Sequence, residues 1–125
     1  MIRGIGLDAV NIKRLENWKD NPQLLQRFFH PDEIKAAASK GTMRIPSLGA
    51  RFAAKEAFGK ALGTGLAGFS LKEVAVVNDA RGKPEMKLYG SARRALAQFG
   101  GGKVFVTLTH EQDYSLACVI IESAD

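Results

Sequence analysis

Apolar and polar positions alternate with period two from Ile2 to Val10. One face carries Ile2, Gly4, Gly6, Asp8 and Val10, the other Arg3, Ile5, Leu7 and Ala9, which predicts an opening strand. The spacing then turns helical. Asn11 is placed to cap a helix through Ile12, Leu15 and Trp18. Pro22 opens a second, anchored by Leu24, Leu25, Phe28 and Phe29, and Pro31 a third, closed by Gly41. The longest helical pattern runs from Pro46 to about Leu62 and exits through Gly63-Thr-Gly-Leu-Ala-Gly68. Leu71 to Asn78 and Pro84 to Tyr89 read as a hairpin turning at Asp79-Ala-Arg-Gly-Lys83. Ser91 caps a short helix to Phe99, and Gly100–Gly102 breaks the chain. Strands from Lys103 to His110 and Tyr114 to Ile121 finish it. The pattern predicts an α+β fold, an antiparallel sheet packed with helices, in one domain over residues 1–125.

The long helix holds the densest chemistry. At about 100° per residue, Ala50, Ala53, Ala54, Ala57 and Ala61 share one sector, a small-residue face able to lie close against another element. Phe52, Glu56, Gly59, Lys60 and Gly63 share another, so an acid and a base stand one turn apart. Gly63 and Gly65 end the helix as residues that tolerate positive φ. Together these groups suit a metal and a phosphate; the alternative is a surface ion pair with a glycine cap.

Asp8 is either a turn or helix cap, or a metal ligand whose surroundings are kept small by Gly4 and Gly6. Those glycines lack the third glycine of a dinucleotide-binding turn. His110 ends the face carrying Val104, Val106 and Leu108, as a partly buried structural residue or a group acting on phosphate or protons. His30, before Pro31, is expected to cap or turn, having no nearby His or Cys at metal-ligand spacing.

Composition narrows the setting. Of 125 residues, 46% are hydrophobic and 25% charged, an ordinary soluble balance. No apolar run approaches the roughly 20 residues that cross a bilayer, and the first residues lack a signal-peptide pattern. The single cysteine, Cys118, forms no internal disulfide. A cytoplasmic protein without a membrane partner is expected. The net charge of +5 calls for an anionic partner: a phosphorylated ligand, an acidic protein or nucleic acid. A nucleic-acid-binding module remains an alternative, although no helix-turn-helix, zinc-finger or RNA-binding aromatic signature is present. A non-catalytic assembly subunit is a second.

Three segments stand in a telling order: Gly4-Ile-Gly-Leu-Asp8, Arg51-Phe-Ala-Ala-Lys-Glu-Ala-Phe-Gly-Lys-Ala61 and Leu108-Thr-His110. With Gly82-Lys-Pro84, and over nearly the whole length, the set closely resembles the short, single-module 4′-phosphopantetheinyl transferases, the holo-[acyl-carrier-protein] synthase family. The resemblance implies Mg²⁺-dependent transfer of 4′-phosphopantetheine from coenzyme A to a serine of an apo acyl carrier protein, releasing adenosine 3′,5′-bisphosphate. It implies Asp8 and Glu56 as metal ligands, and Lys60 and His110 at the diphosphate. The coenzyme A-binding set it suggests is Lys60, Gly63, Gly65, Pro84 and His110. Arg14, with Lys13 and Arg27, would meet the acidic carrier protein, with no role for nucleic acid. Family members commonly form trimers with sites between subunits. Glu111 departs from the pattern, since many relatives have serine there.

The residue types suit that chemistry. Two carboxylates hold a small hard cation while leaving positions for water and phosphate oxygens. Lys60 adds positive charge where a diphosphate accumulates negative charge. Glu56 or His110 would take the serine proton.

Overall fold

The computed structural model describes residues 1–124. In chain order the elements are β1 (Ile2–Asn11), α1 (Lys13–Glu16), α2 (Pro22–Phe28), α3 (Pro31–Ala38) and α4 (Arg44–Leu62). There follow β2 (Val74–Asn78), β3 (Pro84–Leu88), α5 (Gly90–Phe99), β4 (Lys103–Glu111) and β5 (Tyr114–Glu122). One antiparallel sheet has the order β1-β5-β4; β2 and β3 form a separate hairpin. This is the α+β arrangement expected from the pattern.

Helix α4 is the centre. Its small face meets β1, and Phe52 and Phe58 on other sides join a core with Phe29, Val74, Val119 and Ile121. The sheet therefore lies on one side of α4, while α3 and β2 cover another. Gly6 and Gly4 on β1 allow the close approach. A Cβ at either would run into the carbonyl oxygen of Ala57 or Ala61. The glycines thus make room for a helix backbone, which replaces the reading that they make room for a ligand.

Local chemistry sets most boundaries. Asn21 caps α2, accepting from the Leu24 N–H at 3.2 Å ahead of Pro22. His30 caps α3 as expected: its Nδ1 accepts from the Asp32 N–H at 3.1 Å, and Glu33 returns a bond to the His30 N–H. Asp79 Oδ1 gathers the N–H groups of Arg81 and Lys83, closing the β2–β3 turn.

Four expectations shift. Helix α4 begins at Arg44, because Pro46 is tolerated within the first turn, where no intrahelical N–H is needed. The first helix is only Lys13–Glu16. Leu71–Glu73 is a 3₁₀ turn, so β2 starts at Val74. Ser91 does not cap α5; its N–H and Oγ donate to Glu73 Oε1 at 3.1 and 2.6 Å, putting an acid at that helix start.

The outer side of the three-stranded sheet is apolar and uncovered. Ile5 and Leu7 of β1 are 65% and 62% exposed, and Phe105 of β4 is exposed in register with Ile5 across Ile120. Among the described residues, no helix is long and apolar enough to cross a membrane.

Candidate active site

The close packing of β1 on α4 brings Asp8 to the flank of α4 that carries Glu56 and Lys60. Lys60 Nζ donates to Asp8 Oδ1 and to the Leu7 carbonyl, each at 3.0 Å. Asp8 is 9% exposed, and its Oδ2 is buried without a hydrogen-bond partner among the described residues. Glu56 lies near enough to hydrogen-bond Asp8 once either is protonated. Burial, then the charge of Asp8 and that bond, push the Glu56 pKa above its ordinary value, while Arg14 and Lys60 oppose the shift.

A buried carboxylate oxygen without a donor is expensive, and two carboxylates facing each other add repulsion. A cation answers both problems. Among the described residues no group of three His, Cys, Asp or Glu side chains is arranged to hold a metal. A pair suits a hard divalent ion that keeps most of its water or takes phosphate oxygens. Asp8 and Glu56 therefore fit such an ion.

His110 is elsewhere. β1 and β4 are opposite edges of the sheet, so β5 separates Asp8 from His110. The histidine is exposed at the end of its strand rather than partly buried. It lines a cavity of about 350 Å³ with Lys40, Ser47, Arg51, Asn78 and Pro84. Neither Asp8, Glu56 nor Lys60 lines it. The structure thus joins Asp8 with Glu56 and Lys60, joins His110 with Pro84, and separates the two sets within one chain.

Gly63 and Gly65 lie at the C-terminal end of α4 with φ of 84° and 64°. The Gly63 and Thr64 N–H groups bond to the Lys60 and Gly59 carbonyls, so they close the helix rather than stand free. Gly59 lacks a side chain where the Gly65 carbonyl crosses it.

Arg14 sits 5.6 Å over the Phe52 ring, on the Glu56 side of α4. Lys13 and Arg27 are exposed on α1 and α2. Sequence reasoning missed Arg51 and Lys40 as cavity cations. Arg51 is buried, with Nη1 donating to Ser47 Oγ at 2.6 Å and Nε to the Val76 carbonyl at 3.2 Å. Its place at the head of the helix motif was a signal, but its Val76 partner comes from a distant strand.

Comparison with known proteins shows the family and the fold. A family model of the 4′-phosphopantetheinyl transferase superfamily matches residues 4–119. The holo-[acyl-carrier-protein] synthase of Treponema denticola is 52% identical over 122 residues, spanning 98% of this chain and 99% of that one. A solved holo-[acyl-carrier-protein] synthase from Neisseria meningitidis has a TM-score of 0.87 at 36% identity, covering 98% of this chain and all (100%) of its own. That of Bacillus anthracis, solved with CoA (3′,5′-ADP), has a TM-score of 0.82 at 32% identity, covering 99% of each chain. The chain belongs to the 4′-phosphopantetheinyl transferase superfamily, and its activity is that of the holo-[acyl-carrier-protein] synthases, transfer of the phosphopantetheine arm of coenzyme A to an apo acyl carrier protein.

Proposed function

We propose that the two separated sets are halves of one active site completed between two copies of the chain, each copy acting as a single domain. Asp8 and Glu56 of one copy would hold Mg²⁺. The His110 cavity of another would seat the adenosine bisphosphate end of coenzyme A. The buried Oδ2 of Asp8, without a partner among the described residues and beside a second carboxylate, is the observation that carries this reading. The uncovered apolar face formed by Ile5, Leu7 and Phe105 supports assembly, since a patch of that kind marks an interface. A homotrimer is the assembly the family resemblance suggests.

The carrier protein's serine oxygen attacks the β-phosphorus of coenzyme A. Its O–P bond forms as the bond to the leaving phosphate breaks, freeing adenosine 3′,5′-bisphosphate. When bound, the ion supplies Lewis-acid stabilisation of the diphosphate's charge. Lys60, 53% exposed at its side chain and anchored on Asp8, presents its ammonium to the same phosphates. Glu56 accepts the serine proton; His110 is the second group able to do so. Lys40, Arg51 and His110 offer positive charge or N–H donors to the bisphosphate. Gly63 and Gly65 shape the loop beside Lys60, and Pro84 walls the nucleotide cavity. Lys13, Arg14 and Arg27 dock the acidic carrier protein. A cytoplasmic role in fatty acid biosynthesis follows from that substrate.

Mixing two inactive variants tests the shared site. Asp8→Ala and His110→Ala chains, unfolded and refolded together with Mg²⁺, coenzyme A and apo carrier protein, should regain transfer that each lacks alone. Transfer is read as the added phosphopantetheine mass on the carrier serine. Mixed assemblies that stay inactive, while refolded wild type works, would place both residues in one chain's site and overturn the proposal.

A further inference from the structure

Among the described residues, strand β2 pairs with β3 on one edge only. Its other edge presents the Val74 carbonyl, the Val76 N–H and the Val76 carbonyl to the interior, where no strand of the described residues meets them. Three charged side chains take that place. Lys55 donates to the Val74 carbonyl, the Val76 N–H donates to Glu33 Oε2 at 3.0 Å, and Arg51 Nε donates to the Val76 carbonyl at 3.2 Å. Lys55 and Glu33 are themselves paired at 2.5 Å with no side-chain exposure. Lys55 also donates to the Leu71 carbonyl at 3.1 Å, and Glu33 Oε1 also accepts from the His30 N–H at 3.0 Å.

The spacing explains why this works as a clamp. Arg51 and Lys55 are four residues apart, about 6 Å along a helix. Val74 and Val76 are two apart, about 6.7 Å along a strand. Two side chains on one helix face therefore reach two successive carbonyls on one strand edge. The clamped parts are also the walls of the nucleotide cavity: Ser47 and Arg51 on α4, Asn78 and Pro84 on the hairpin.

We infer that Glu33 and Lys55 are positioning residues for the nucleotide. They fix the β2–β3 hairpin against α4, and so set the width of the His110 cavity without touching its contents. The inference rests on the proposed seating of adenosine bisphosphate there. It separates the two halves of the site in a testable way. The nucleotide half depends on the clamp, whereas Asp8 and Glu56 are held together by the glycine-mediated packing of β1 on the other flank.

Lys55→Met and Glu33→Gln test it, with three readouts on the assembled protein. Folded fraction is followed by Trp18 fluorescence, and affinities for 3′,5′-ADP and for Mn²⁺ are measured by titration. In the folded fraction, 3′,5′-ADP should bind about tenfold more weakly, because small misplacements of a binding wall are costly. Mn²⁺ affinity should stay within about twofold, a difference too small to signal a lost ligand. Should Lys55→Met fail to fold, Lys55→Arg keeps the charge but alters the three-donor geometry, and carries the same expectation. Nucleotide affinity unchanged in a folded variant, or nucleotide and ion weakened equally, overturns the inference. A wild-type chain that binds no 3′,5′-ADP overturns the reading of the cavity, and the inference with it.

Discussion

Helix α4 carries two acid–lysine clusters built from neighbouring residues, and they are opposites. On one flank Lys55 meets Glu33 in full burial, and all the donors of the ammonium and both carboxylate oxygens find partners. On another flank Glu56 and Asp8 share a single lysine, Lys60, and one buried oxygen of Asp8 has no partner among the described residues. The first cluster is complete without help, so it holds structure. The second leaves a buried carboxylate oxygen without a donor among the described residues, so it is ready for a cation. A carboxylate beside a lysine says little by itself; the tally of donors against acceptors distinguishes a brace from a site.

Breaking the complete cluster should have the largest effect on stability. Glu33→Ala leaves the Lys55 ammonium buried without its counter-charge, and orphans the Val76 N–H as well. Losing one partner of a buried pair costs about 3–5 kcal/mol. Denaturant unfolding should show that loss. Asp8→Ala, measured the same way without a divalent ion, should lose no more than about 1 kcal/mol, since losing its bond to the half-exposed Lys60 is offset by removing a buried carboxylate oxygen that has no donor among the described residues. Equal losses would mean the clusters do not differ as described.

The contrast also marks how far the sequence could be read. Lys55 and Glu56 are adjacent, so the motif announces both at once. Only the register of α4 against β2 and β1 decides which is entombed. The strands, the hairpin and the cap at His30 were legible because their determinants are local: alternation, turn residues and a proline after a capping side chain. Gly4 and Gly6 were visible as a sign of close approach, but not what approached, because Ala57 and Ala61 are some fifty residues away in the chain. The separation of His110 from Asp8 was hidden for a related reason. Strand order is a property of the sheet, and no spacing in the chain states that β5 lies between them.

A second experiment sharpens the deficient cluster through its pH dependence. The folded pKa of Glu56 lies above its unfolded value, mainly through burial and then through Asp8. That contribution to stability is fully present below the unfolded pKa and is lost as pH rises through the folded one. Without a divalent ion, the melting temperature contributed by this cluster should therefore fall with rising pH over that window. Mg²⁺ should oppose the fall, because it binds the ionised carboxylates, and its stabilising effect should be greater at neutral pH than in acid. Asp8→Asn should remove the smaller, Asp8-dependent part of the pH effect, leaving the part due to burial of Glu56, and most of the Mg²⁺ effect. It should also lower transfer by about 100-fold or more, the scale of losing a principal electrostatic stabiliser. Mg²⁺ stabilisation that is undiminished in Asp8→Asn would move the ion away from these carboxylates.

The smallest effect belongs to Arg14, which lies between the two kinds of role. Its guanidinium rests over Phe52 and adds positive potential at Glu56, yet the residue is exposed on α1. As a docking residue it should act on encounter with an acidic partner more than on chemistry, because rim charges chiefly alter association and its salt dependence. Arg14→Glu should therefore raise the carrier protein's KM by roughly three- to tenfold at low salt, with less effect at high salt. The KM for coenzyme A should stay near the wild-type value, since the groups that line the nucleotide cavity, Lys40, Arg51 and His110 among them, lie on elements other than α1. A matched rise in both constants would show that Arg14 works through Glu56, making it part of the ion's electrostatic surroundings instead of a separate landing surface.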